Sequence, residues 1–423
     1  MRLAVISDLH LGDPRCSLVA KEGGQWRTEV GFERLAAACG QDNAYLVILG
    51  DALDFSVADY VDAYSAANAF FRQVAQARLA KRILYLPGNH DHTLWHIIAH
   101  EANVIDQVNE GKLPRTRPTM AAVFDHHKDA DAEVVLANVK PKPDGSYGGL
   151  FLDKLAWPDA IPFVVAYPNL YVIDARGTAT LLSHGHYLES FWALTLDLSR
   201  HIFGQDLVLE GQEQAGIRDV ATVNFPLNEL ASSGLGQAGA LTPLVRRIQA
   251  AANQSNPNAI LPYIDAFFGY LDQEVAFKGW SGWFKKKASG YVLERVKRRL
   301  IEWLRSPEST TSRDNPAYPS SQRLEAYLVS SMLEAAAIRE EQGIDIPVPV
   351  RMVLGHSHVS IRLGKRRQVS TTLGRAIDVV NTGGWLGSPQ ADGTVDRTKL
   401  DALVLKYDSS ATAPNPCWTD VVV

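Results

Sequence analysis

The stretch Arg82-Ile83-Leu84-Tyr85-Leu86-Pro87-Gly88-Asn89-His90-Asp91-His92 decides how this chain is read. Ile83 to Leu86 is a short run of apolar β-formers, and Pro87-Gly88 stops it abruptly, so it reads as a buried strand ending in a tight turn. Behind the turn stand an amide, two imidazoles and a carboxylate. Open α/β sheets bind ligands beyond the carboxyl ends of their strands, so such a cluster places chemistry at a sheet edge. Taken alone, it reads equally well as a polar turn capping a helix.

The same arrangement recurs outward from this stretch. Leu3 to Ser7 reads as a strand that delivers Asp8-Leu9-His10, and Tyr45 to Leu49 as one that delivers Gly50-Asp51-Ala52-Leu53-Asp54. Helical spacing lies between them, at Phe32, Leu35, Ala36 and Cys39, and again at Phe70, Phe71, Val74 and Leu79. Strand, helix, strand, helix, strand predicts a parallel sheet with its polar ends on one edge. Further on, Leu170 to Ile173 and Thr178 to Leu182 form a hairpin pattern around Asp174 to Gly177, and the second run ends in Ser183-His184-Gly185-His186. Val350 to Leu354 leads into Gly355-His356-Ser357-His358, with closing strands at Asp378 to Asn381 and Leu400 to Lys406. Glu101 to Pro168 carries little pattern, and its Asp125-to-Asp129 run reads as a solvated loop.

Composition sets the class. With 46% hydrophobic and 21% charged residues over 423 positions, the chain has a soluble globular balance. A net charge of -5 argues against general nucleic-acid coating but leaves local basic patches open. Cys16, Cys39 and Cys417 are odd in number and far apart, which suits a reducing cytoplasm and supplies no metal-ligand spacing. Leu3 to Ile6 is too short for a signal peptide, and no stretch approaches a membrane span. We therefore expect a cytoplasmic protein, with peripheral contact at the inner membrane face as a variant.

Five strand-end blocks in this order, Asp8-x-His10, Gly50-Asp51-x-x-Asp54, Gly88-Asn89-His90-Asp91, His184-Gly185-His186 and Gly355-His356-x-His358, resemble the calcineurin-like metallophosphoesterase superfamily. The resemblance spans Met1 to about Tyr187 and about Pro347 to the C-terminus. It implies a four-layer αββα sandwich, split here by a large α-helical insertion: residues 1–187 and 347–423 form the core and 188–346 the insertion. Carboxylates, imidazoles and one amide suit borderline divalent ions, Mn first, with Fe or Zn next. By the family pattern, Asp8, His10, Asp51 and His358 hold one metal. Asp51 bridges to a second, held with Asn89, His184 and His356. Either His184 or His186 can serve in the fourth block; His184, directly after the strand, is favoured, leaving His186 as a supporting or substrate contact. His90 faces the substrate with Asp91 orienting its ring, and Asp54 stands behind a ligand. The implied reaction is hydrolysis of a phosphomonoester, phosphodiester or pyrophosphate by metal-bound hydroxide. A nucleotide or nucleic-acid phosphodiesterase is the alternative activity, and a non-catalytic scaffold of the same fold is the alternative class.

The insertion leaves after His186 and returns before His356, which makes it a candidate lid or substrate-recognition cap, with a helical subdomain for dimer contacts as the alternative. Helical spacing predicts helices at Leu188 to Ile202, Val292 to Trp303 and Leu324 to Ile338. Within the insertion, Trp280, Trp283, Lys285, Lys286 and Lys287 combine aromatics with clustered lysines, as an element touching an anionic membrane requires; a nucleic-acid backbone would suit the same residues, and buried aromatics beside a solvated basic face explain them equally well. Asp8-Leu9-His10-Leu11 with a helical insertion is also similar to the bacterial UDP-diacylglucosamine pyrophosphatases, which handle lipid substrates. That group has Arg where this chain has His90, and a shorter insertion.

Overall fold

The computed structural model describes residues 1–115, 117–137, 149–159, 161–189, 192–193, 195–197, 215–232, 297–298, 319–364, 366–368, 376–390, 394–410 and 417–423. The strands are β1 (Arg2–Ile6), β2 (Val19–Glu22), β3 (Gln25–Thr28), β4 (Asn43–Leu49), β5 (Ala80–Leu86), β6 (Ala122–Asp125), β7 (Val135–Leu136), β8 (Phe163–Val165), β9 (Asn169–Ile173) and β10 (Ala179–Ser183). After them come β11 (Arg351–Leu354), β12 (Ser360–Ile361), β13 (Arg366–Gln368), β14 (Ala376–Gly384), β15 (Ser388–Pro389), β16 (Val395–Asp396), β17 (Asp401–Asp408) and β18 (Trp418–Val422). The helices that matter for the site are α1 (Val30–Cys39), α2 (Tyr60–Gln76), α3 (His92–His100), α4 (Ile217–Ser232) and α5 (Ser321–Gln342).

One hydrogen-bonded path runs β7-β6-β9-β10-β11-β14-β17-β1-β4-β5-β8. Along this path its two halves join where Gly383 and Gly384 of β14 pair with Ala402 and Asp401 of β17. In the first half β1, β4, β5 and β8 are parallel. In the second β10, β11 and β14 are parallel, and β9 and β10 form the antiparallel hairpin read from the sequence. The halves face each other: the rings of Tyr45 (β4) and Phe124 (β6) are 5.2 Å apart, and His126 beyond β6 stacks on Tyr407 of β17 at 5.3 Å. His126 is therefore buried, in a run that reads from sequence as a solvated loop.

Both faces of each half are covered, so central strands read as unbroken apolar runs. Leu3, Ala4, Val5 and Ile6 are all fully buried, as are Leu46 to Leu49. Phe71 of α2 packs on Phe163 of β8 at 5.0 Å, making the outer layer of the first half. On the second half, Tyr171 of β9 donates to Ser331 of α5 at 2.9 Å. Helix α5 matches the spacing expected around Leu324 to Ile338, with Ser320 capping its start and Gly343, at φ 69°, its end. Thus the architecture is the expected mixed α/β sandwich, and a helix assigned from sequence to the insertion lies against the core sheet.

The rest of 188–346 is only partly described. Helix α4, which sequence reading missed because Pro226 and three Asn/Ser positions blur its apolar spacing, packs against α3 through a Thr93-to-Glu229 hydrogen bond of 2.9 Å. Residues 186–188 form a 3-10 turn and 195–197 are helical; the other positions of the helix expected at Leu188 to Ile202 lie largely outside the described residues. So do the basic aromatic segment Trp280 to Lys287 and nearly all of the helix expected at Val292 to Trp303. Among the described residues no helix is long and apolar enough to cross a membrane.

Candidate metal centre

The five polar blocks converge at the carboxyl ends of β1, β4, β5, β10 and β11. Backbone bonds tie their loops together: Asp8 N donates to Gly50 O at 3.1 Å, His10 N to Asp51 O at 2.9 Å, and Gly355 N to His184 O at 2.9 Å. These loops turn too sharply for ordinary backbone. Asp8, His10, Asp51, His356 and His358 all adopt positive φ, between 49° and 70°, a region uncommon outside glycine and associated with functional sites. Gly88 serves close approach: a Cβ there would overlap Asp51.

Three groups of side chains result, one of them His10, Asp54 and His90, and the other two share Asp51. Asp8, His10, Asp51 and His358 each offer a ligand atom within 4.8 Å of the others, and so do Asp51, His184 and His356. Asp51 belongs to both. Its Oδ1 accepts from the amide of His90 at 2.8 Å, whereas Oδ2 has no hydrogen-bond donor among the described residues. Oδ2 instead lies 3.3 Å from His184 Nε2 on one side and 4.0 Å from His10 Nε2 on the other.

The donor chemistry fits cations at both places. His184 Nδ1 is 2.7 Å from Leu49 O, which only accepts, so Nδ1 carries the proton and Nε2 of the neutral ring is a lone pair. That lone pair faces two more acceptors, Asp51 Oδ2 and Asn89 Oδ1, the latter at 2.9 Å. Likewise His10 Nδ1 donates to Asp54 Oδ2 at 2.8 Å, turning its Nε2 toward His358 Nε2 at 2.9 Å. Acceptors converging in a buried site require positive charge between them. A proton on His184 Nε2 would meet the same demand for positive charge. Burial alone would lower the His184 pKa, but Asp51 and then Asp8 outweigh it and push it up to about 9. Asp51 is held well below the carboxylate range, because His184 and His90 override its burial.

His90 sits beside the two groups that share Asp51 and is partly open, its side chain 18% exposed, as is His358 at 22%, whereas Asp8 is fully buried. Its Nδ1 lies 2.9 Å from Asp54 Oδ1 and 2.7 Å from Ser56 Oγ. Asp54 thus holds His10 with one oxygen and His90 with the other. Asp91, expected to orient the His90 ring, does something else. Its carboxylate accepts from the amides of Ala52 and Gly88 at 2.6 Å each, from Leu53 and Asp51, and from the Tyr85 hydroxyl. It therefore ties the Asp51 loop to the Asn89 loop from beneath. Burial and then the Asp51 charge push its pKa up to about 6 against those donors. His186 is buried with neither ring nitrogen hydrogen-bonded among the described residues, and its ring stands 5.4 Å from that of His184; the structure brings His184, not His186, to Asp51.

The family model of calcineurin-like phosphoesterases matches residues 1–242, more than half of the 423. The chain belongs to the calcineurin-like phosphoesterase family. No curated protein matches it. The family match covers Asp8, His10, Asp51, Asn89, His90 and His184; His356 and His358 lie beyond it and reach the centre through β11.

Two contacts escaped sequence reading. Glu189 Oε2 lies 2.6 Å from His356 Nε2, and Ser56 supports His90. A carboxylate five residues after His184 was the available sign of the first; Ser56, two residues past Asp54, carried no distinguishing sign.

Proposed function

We propose that this chain is a two-metal hydrolase of phosphoric esters or anhydrides, with Mn as its first candidate metal and Fe or Zn next. The observation that carries the reading is Asp51, which belongs to both ligand groups and whose Oδ2, with no hydrogen-bond donor among the described residues, lies between His184 and His10. Asp8, His10, Asp51 and His358 would hold one ion; Asp51, Asn89, His184 and His356 the other. When bound, such ions would supply Lewis acidity toward phosphate oxygens and toward an attacking water. Asn89, as a neutral ligand, would leave its ion the stronger Lewis acid.

The remaining work falls to side chains. Asp54 fixes the His90 ring through Nδ1, and Nε2 is the atom we assign to the substrate. From Nε2 the ring donates a proton to the leaving oxygen as the P–O bond breaks. Asp91 keeps the two ligand loops in register from below.

The test is hydrolysis of p-nitrophenyl phosphate beside its bis-ester, after chelation and again with Mn restored, for wild type and Asp51→Asn. Mn-dependent turnover that Asp51→Asn abolishes supports the reading, and the ratio of the two rates assigns the ester class. A chain that binds two ions yet turns over neither ester points to a substrate that must first engage residues 188–346. A chain that binds none is the scaffold.

A further inference from the structure

We propose that Glu189 is a positioning residue of the second metal site: it fixes the ring of His356 so that Nδ1 meets the ion. The inference rests on the two-metal reading above. Glu189 Oε2 is 2.6 Å from His356 Nε2, with Glu189 5% and His356 0% exposed. A carboxylate only accepts, so the ring proton sits on Nε2 and Nδ1 presents its lone pair. Glu189 stands behind the ring, outside the ligand group: Asp51, His184 and His356 gather within 4.8 Å of one another without it. Buried carboxylates placed this way fix ring orientation and raise the basicity of the ligating nitrogen.

The local chain explains how Glu189 arrives. Gly185, at φ 101°, reverses the chain after His184, and the 3-10 turn His186–Leu188 follows. The Glu189 amide then bonds His186 O at 2.9 Å, and the buried side chains of Tyr187 and Leu188 anchor the turn. One turn thus supplies a ligand, His184, and the support for another, His356, which lies 167 positions further along. The rings of the two histidines are 5.2 Å apart. The stretch that follows His186 therefore starts as part of the metal centre, before any lid.

The experiment is a calorimetric Mn titration of the full-length, chelator-stripped chain: wild type, Glu189→Gln and Glu189→Ala. Wild type is expected to bind two equivalents. Glu189→Gln keeps the shape and an acceptor oxygen but loses the charge, and should weaken one equivalent by about 10-fold; Glu189→Ala should weaken the same one by roughly 100-fold. The other equivalent should keep its wild-type affinity, which a general structural role would not allow. An isotherm for folded Glu189→Gln that superimposes on wild type, or that weakens both equivalents equally, overturns the proposal. If Glu189→Ala does not fold, Glu189→Gln decides alone. Wild-type protein that binds no Mn removes the two-metal reading itself, a result distinguishable from failure of the Glu189 role.

Discussion

Raising the pH should weaken the chain through Glu334. This residue, on α5, places its carboxyl beneath the helix, where Oε2 accepts from Asn169 Nδ2 at 2.8 Å and from the Tyr171 hydroxyl at 2.9 Å. Its other oxygen, Oε1, is buried and has no hydrogen-bond partner among the described residues. Burial, only partly offset by Asn169 and Tyr171, lifts its pKa from 4.5 to about 7. The raised folded value means that the folded chain holds this proton after the unfolded chain has released it. The stabilisation is complete below pH 4.5 and is lost as the pH rises through about 7. At about 1.4 kcal/mol per pH unit, the difference is about 3 kcal/mol. Glu334→Gln cannot ionise, so its stability relative to wild type should improve by about that amount between pH 4.5 and roughly pH 8. Urea unfolding of both proteins across this window, in chelator so that metal linkage does not intrude, measures it. A difference between the two that does not change with pH would refute the reasoning. The consequence reaches the site: Asn169 also accepts from Tyr327 at 2.8 Å, and Tyr327 lies 2.9 Å from Ser183, the residue before His184.

Two further outcomes follow from the site. Asp91→Ala strands the amides of Ala52 and Gly88 and the Tyr85 hydroxyl, and should cost about 3–5 kcal/mol in urea unfolding; unchanged stability with lost activity would return Asp91 to the ring-orienting role. His90→Gln should lower kcat by about 10²–10⁴-fold for an alkyl phosphoester and by less for a p-nitrophenyl ester, whose leaving group needs no proton. Equal losses on both esters would remove His90 as the proton donor.

The ligand candidates were legible because each stands within four residues of the end of a buried strand, where the alternation of apolar run and polar stop is local in sequence. Asp8 and His10 after Leu3 to Ser7 show this most plainly. The Glu189 and Ser56 contacts were not legible, since their partners are brought together by the fold alone. His356 meets Glu189 across 167 positions, and nothing near either residue marks the other. Asp91 was misread for a related reason: it binds backbone amides, which have no residue type to recognise, so adjacency to His90 was the stronger signal. In the same way α5 was visible as a helix from Leu324 to Ile338, yet its place on the core sheet depends on Tyr171 and Ser183, far upstream.

The central claim is that Asp51 bridges two ions. Anomalous diffraction from crystals soaked in Mn, recorded at the metal edge, tests it most directly. The account predicts two peaks, one among Asp8, His10 and His358 and one among Asn89, His184 and His356, with Asp51 Oδ2 touching both. One peak, or two that share no ligand at Asp51, would contradict it.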